Sequence, residues 1–169
     1  MNTGQMALTI AAFMLLGIVT LNFRNANFQN EDVLDGNEYT QKAVAIGRSI
    51  IEELQSKPFD MAFSTNKIVR LEDLTSCGPG WGEVYPGFND VDDFHGSIFR
   101  SPASGTTPTT ATPKCLWDTW GYTVNVAVQY VSTTNPNVTT SRSYAKRITL
   151  RISNTFSQDT VTMSYIAAY

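Results

Sequence analysis

Apolar side chains follow three rhythms along this chain. From Met6 to Leu21 (MALTIAAFMLLGIVTL) they run almost without interruption, and no charged side chain occurs before Arg24. A helix from Gln5 to Phe23, rising about 1.5 Å per residue, is roughly 28 Å long, close to the ~30 Å hydrocarbon core of a bilayer. From Asn37 to Ser56, Tyr39, Ala43, Ile46, Ile50 and Leu54 recur at spacings of three and four, with Val44 and Ile51 widening the face. This predicts an amphipathic helix with Gln41, Arg48, Glu52 and Gln55 on its polar side. Asp35 or Asn37 is placed to cap its start and Pro58 to end it. From Tyr122 onward the period is two. Tyr122, Val124, Val126, Val128 and Tyr130 alternate with polar or small residues, as do Tyr144, Lys146, Ile148, Leu150 and Ile152, then Val161, Met163 and Tyr165. Three strands in an antiparallel meander with one apolar face require a helix to cover them, and the 37–56 segment is the candidate.

The intervening segments break these rhythms. Asn22 to Gly36 is dense in Asn and Asp, whose side chains compete for backbone hydrogen bonds, so a break or loosened turn is expected there. Phe59 to Trp120 reads as irregular, and Ser101 to Lys114 (SPASGTTPTTATPK) as an exposed, extended Thr/Pro-rich loop. Its threonines Thr106, Thr107, Thr109, Thr110 and Thr112 are candidate O-glycosylation positions. The expected fold class is α+β. Residues 1–36 form a hydrophobic N-terminal helix with a loosened polar segment, and residues 37–169 a head made of a helix (37–57), a variable loop region (58–120) and a β-meander (121–169).

Of 169 residues only 16% are charged, and the net charge of −3 leaves no electrostatic footprint for nucleic acid. One histidine and two cysteines, without a nucleophile elbow, phosphate loop or zinc-binding spacing, point away from an enzyme and from an organic cofactor. Cys77 and Cys115, an even count in a chain with an export-type start, predict one disulfide; closing a loop of about 38 residues contributes roughly 3 to 4 kcal/mol in the chain-entropy picture. Asn89, Asp90, Asp92 and Asp93, in a loop flanked by Gly87 and Gly96, supply oxygen ligands suited to calcium. The competing reading is a turn whose aspartates cap local backbone groups. Trp81, Trp117 and Trp120 with Tyr85 are either a surface-binding patch or small-core packing.

Three uses of the apolar start compete. A cleaved signal peptide has a basic front end and a small-residue cleavage site, neither of which is present. A plain membrane anchor fits, with Arg24 the only flanking basic residue. The third use is the axis of a filament. Here the layout and two stretches of sequence resemble the type IV pilin-like superfamily of pilins, minor pilins and secretion pseudopilins. Lys42 to Asp60, through Glu52-Glu53-Leu54 and Pro58-Phe59-Asp60, is similar to the "EEL…PFD" stretch of minor-pilin-like proteins, and Phe88 to Gly96 (FNDVDDFHG) to their "DDVDDYHG" segment. The resemblance implies a homopolymer whose core is Met6, Leu8, Ile10, Phe13, Leu15, Leu16, Ile18, Val19, Leu21 and Phe23. It also implies residence in the inner membrane before assembly, pilus or secretion assembly machinery as partner, and a cell-surface or extracellular filament as destination. A minor pilin or pseudopilin, or a membrane-anchored surface binding module, is the alternative. The processing junction that the resemblance implies is Gly4-Gln5. Family members have a basic leader and a glutamate at the fifth mature position. This chain has neither: cleavage after Gly4 places Thr9 fifth, and no cleavage places Gln5 there.

Overall fold

The computed structural model describes residues 2–65, 70–157 and 159–169, with side chains described except at 29–35, 64 and 65. The elements are α1 (Thr3–Gln55), α2 (Met61–Thr65), β1 (Ile98–Arg100), β2 (Tyr122–Tyr130), β3 (Ala145–Asn154) and β4 (Thr160–Ala168), with single 3-10 turns at Leu71–Asp73, Asp92–Phe94 and Lys114–Leu116. This is the expected α+β class. The chain divides into two compact units, Met1–Tyr39 and Thr40–Tyr169.

In the first unit α1 continues through Asn22 to Gly36, where a break was expected. Each Asn or Asp gives up only about 0.7 kcal/mol against alanine in a helix. With helix established on both sides no second nucleation is needed, so propagation carries through. Asp35 and Asn37 therefore have no helix start to cap, and the side chain of Asp35 lies outside the described residues.

In the second unit one antiparallel sheet runs in the order β1-β2-β3-β4. The register aligns the inward positions into rows: Val124, Ile152 and Val161; Val126, Leu150 and Met163; Val128, Ile148 and Tyr165. The β2 and β3 members are buried, and Ala43, Ile46, Ile50 and Leu54 of α1 are buried with them. Gly47 marks the close approach of helix to sheet, since a Cβ there would fall against Met163 Sδ and lie 2.8 Å from Ile152 Cδ1. The helix thus covers the face that the period-two pattern selected.

The region read as irregular contains one further strand. β1 pairs with β2 through Ile98–Asn125, Phe99–Val124 and Arg100–Thr123. Three residues are too few to show a period, so pattern alone could not reveal it. Its buried Phe99 joins Tyr85, Phe88 and Phe94 in an edge-to-face cluster, with Tyr85–Phe99 centroids 5.0 Å and Phe88–Phe94 centroids 4.9 Å apart. Tyr85 also donates to Glu53 Oε2 of α1 (3.3 Å), which pins this loop to the helix.

The helix–sheet contact leads to a paired expectation. Gly47→Leu should destabilise the head by about 1–3 kcal/mol through overpacking. Gly36→Ala, where a Cβ meets nothing within 4 Å, should stabilise α1 by roughly 0.5–1 kcal/mol. Thermal melting of the two variants checks the opposite signs.

Candidate functional site

In the first unit the helix from Thr3 to Phe28 is long and apolar enough to cross a membrane. The ten candidate core residues from Met6 to Phe23 are each between 50% and 74% exposed. They occupy every side of the helix, and a helix apolar all round is one that is buried by something outside itself. The hydroxyls inside the run are already satisfied: Thr9 donates to the Met6 carbonyl (2.9 Å) and Thr20 to the Leu16 carbonyl (2.7 Å). The segment therefore offers an apolar environment no unpaired hydroxyl. Gly4 and Gln5 lie in the first turn, where the Gln5 N–H donates to the Asn2 carbonyl (2.9 Å).

In the head, the acidic loop is folded inward. Asp60, Asp90, Asp92 and Asp93 are all buried. Asp90 accepts from the N–H groups of Met61 (2.8 Å), Asp92 (2.9 Å) and Asp93 (3.3 Å). Asp93 accepts from those of Asn89 (2.8 Å) and Asp90 (3.2 Å). Asp60, from the turn after α1, accepts from the N–H groups of Ala62 (3.0 Å) and Thr75 (3.0 Å). The Thr75 hydroxyl lies 2.8 Å from Asp92 Oδ2 and 3.1 Å from Asp60 Oδ2, and the Tyr130 hydroxyl reaches both the Thr75 carbonyl (2.7 Å) and Asp60 Oδ2 (3.1 Å).

At the centre stands Lys146, fully buried on the inward face of β3. Its ammonium is in contact with Asp92 Oδ1, lies 3.4 Å from Asp60 Oδ2, and donates to the Phe59 carbonyl (2.6 Å). The rings of Phe59 and Tyr130 flank it, at 4.2 and 4.9 Å from their centroids. Carboxylate oxygens of Asp60, Asp90 and Asp92 lie within 4.8 Å of one another, the geometry of a cation site. The cation there is the lysine. Calcium takes six to eight oxygens, whereas these carboxylates are already engaged by N–H groups and an ammonium. Asn89 lies apart, exposed, its amide donating to Glu83 Oε1 (2.7 Å). Of the residues expected to hold calcium, Asp90 and Asp92 thus come together with Asp60, whereas Asp93 accepts backbone N–H groups and the Asn89 amide turns to Glu83. Asp60, Thr75, Tyr130 and Lys146 complete the centre and were not among the expected site residues. One signal was present: Lys146 occupies an apolar position of the β3 alternation.

The electrostatics follow from burial. Burial, with a smaller contribution from Asp90, pushes the Asp92 carboxyl up to about 7 against the pull of Lys146. Burial and the Asp93 charge push Asp90 up. For Asp60, burial is outweighed by the N–H groups of Ala62 and Thr75 and by Lys146, which hold it below the usual range.

Other expected features separate. Cys77 and Cys115 are free, partly buried thiols, which corrects the expected disulfide. Cys77 sits near Asp92 and Tyr130, and burial pushes its thiol up to about 11; Cys115 lies against Ser49 and Glu53. An even cysteine count carries no geometry, and a bridge needs Cα atoms within about 7 Å. Tyr85 is packed in the aromatic cluster and, among the described residues, makes its ring contacts with Phe88, Phe94 and Phe99 rather than with a tryptophan. Trp81 is fully exposed and Trp120 pairs with Phe156 (4.5 Å). Thr106, Thr107, Thr109 and Thr110 are exposed, as expected for the Thr/Pro loop, and Thr112 is partly covered. His95 accepts the Val128 N–H on Nδ1 (3.0 Å), a structural bond beside the short β1 strand.

The chain matches no protein-family model, no curated protein and no solved structure. Its layout, a long apolar N-terminal helix followed by an antiparallel sheet packed on a helix, is compatible with a pilin-like fold.

Lys146→Met should destabilise the head by about 3–5 kcal/mol, because it strands buried carboxylates; adding Asp60→Asn and Asp92→Asn should recover much of the loss. Urea unfolding followed by tryptophan fluorescence measures both. The pH dependence has a defined sign. Asp90 and Asp92, raised in the folded head, contribute stability that is complete below the ordinary value of 3.8 and is lost as pH rises through their folded values, about 7 for Asp92. Asp60, lowered, contributes above its ordinary value, and that contribution is lost as pH falls through its folded value. The melting temperature should therefore be highest in the mildly acid range and fall toward pH 8, and Asp92→Asn should flatten that upper limb.

Proposed function

We propose that this chain is the structural subunit of a pilin-like filament. Its apolar rod is held by a membrane before assembly and afterwards buried among the same segment of neighbouring copies. The observation that carries this reading is the all-round exposure of large apolar side chains from Met6 to Phe23. Covering such a side chain contributes about 1.5–3 kcal/mol, so ten of them contribute tens of kcal/mol before the entropy of association is subtracted. A head-to-tail contact repeated along a rotation that does not close builds a fibre. The pilin-like layout and the Glu52-Glu53-Leu54, Pro58-Phe59-Asp60 and Phe88 to Gly96 resemblances support the same assignment. On this reading the finished object lies at the cell surface, with assembly machinery as the transient partner.

The length of the Thr3–Phe28 helix favours a second reading, a membrane-anchored binding module whose rod stays in lipid. Surface shearing separates the two. A filament subunit is recovered in sheared fibres, and Leu16→Asp, which places a carboxylate in the packed axis, should abolish them while the head melts as in the parent. Fibres of normal length from Leu16→Asp overturn the filament assignment. Absence of the parent chain from any sheared fibre, with full retention in the membrane fraction, favours the anchored module.

A further inference from the structure

The sheet face turned away from α1 carries its own chemistry. Across β2, β3 and β4 it forms a cavity of about 700 Å³, within the range of small-ligand sites. Arg147 and Arg151 stand in it on one strand, four residues and about 13 Å apart, among Asn125, Gln129, Thr149 and Ser164. No acidic side chain lines it. Arg147 is held in place by neutral acceptors alone, the Pro136 carbonyl (3.2 Å) and Gln129 Oε1 (3.2 Å), which orient its guanidinium without cancelling its charge. Arg151 meets no acceptor among the described residues. Two uncompensated guanidinium groups are thus concentrated on one face of a chain whose net charge is negative.

We infer that this face binds an acidic sugar chain, its carboxylates taken by Arg147 and Arg151 and its hydroxyls by the amides and hydroxyls between them. Arginine's planar fork matches a carboxylate with two parallel hydrogen bonds. Asn125, Gln129, Thr149 and Ser164 present donors and acceptors together, as a ligand rich in hydroxyls requires. An extended peptide is recognised through free backbone groups at a sheet edge, whereas both arginines stand on β3, which is paired on both sides; the edge strand β4 borders the cavity, and the polyglutamate comparison tests a peptide there. Single-stranded nucleic acid is held on aromatic platforms, and the cavity has no aromatic lining. The inference does not rest on the filament reading, since the cavity lies wholly in the head.

The test is calorimetric titration of the full chain, solubilised in detergent, with polygalacturonate as the probe. Dextran, polyglutamate and oligothymidylate serve as comparisons. Saturable polygalacturonate binding should weaken about tenfold or more in Arg151→Gln and in Arg147→Gln. Arg48→Gln, on the polar side of α1, should leave it unchanged, and dextran should not bind. Melting curves that match the parent confirm that the exposed-face variants are folded. Absence of polygalacturonate binding, or binding indifferent to both arginines, overturns the site. Equal, arginine-dependent binding of polyglutamate or oligothymidylate overturns its assignment to a sugar.

Discussion

One ammonium holds the head together. Lys146 Nζ connects the turn after α1, through Phe59 and Asp60, to the acidic loop, through Asp92, and carries both onto β3. Thr75 and Tyr130 close the ring from a loop and from β2. Moving these charges out of water costs several kcal/mol per ion, which the attraction between them offsets only when each remaining oxygen finds a donor. Nearly all of them do, mostly from backbone N–H groups of the same loops. The consequence is conformational: a long stretch without regular structure is fixed in one arrangement because any other would strand a buried charge.

That constraint explains how the described residues of the 58–65 and 70–100 stretches are held although most of them lie outside helix and strand. Its backbone is held by carboxylates acting as local caps, and its side chains by the Tyr85, Phe88, Phe94 and Phe99 cluster. Polar and aromatic networks here do what periodic burial does in the sheet. They are also separable in kind: the sheet tolerates exchange among apolar residues of similar volume, whereas the lysine centre requires matched charge and geometry.

Legibility in the sequence divided along the same line. The face of α1, and β2, β3 and β4 with their inward rows, follow from periods of 3.6 and two, because packing a helix on a sheet imposes those periods. β1 was hidden because three residues carry no rhythm. The lysine centre was hidden for a different reason: Asp60 and Lys146 are far apart in the chain, and a charge partner leaves no local signature. What the pattern did show was a charged residue on the apolar side of β3, and a lysine there implies a buried acid somewhere. The disulfide failed for the converse reason. An even residue count carries no information about proximity, and Cys77 and Cys115 pack against different neighbours. Continuity of α1 through its Asn/Asp-dense stretch shows propensity giving way to cooperativity.

The buried cluster also accounts for the sign of the formal net charge. Four of the fifteen acidic side chains and one of the twelve basic ones are buried in the lysine centre and its acidic loop, leaving eleven of each sign elsewhere in the chain. By formal count the buried cluster accounts for the −3, and the remaining acidic and basic side chains are equal in number. This balance sharpens local features. With no acidic side chain lining their cavity, the guanidinium groups of Arg147 and Arg151 set the potential of their own sheet face, and the segment before Arg24 adds no charged side chain to either sign.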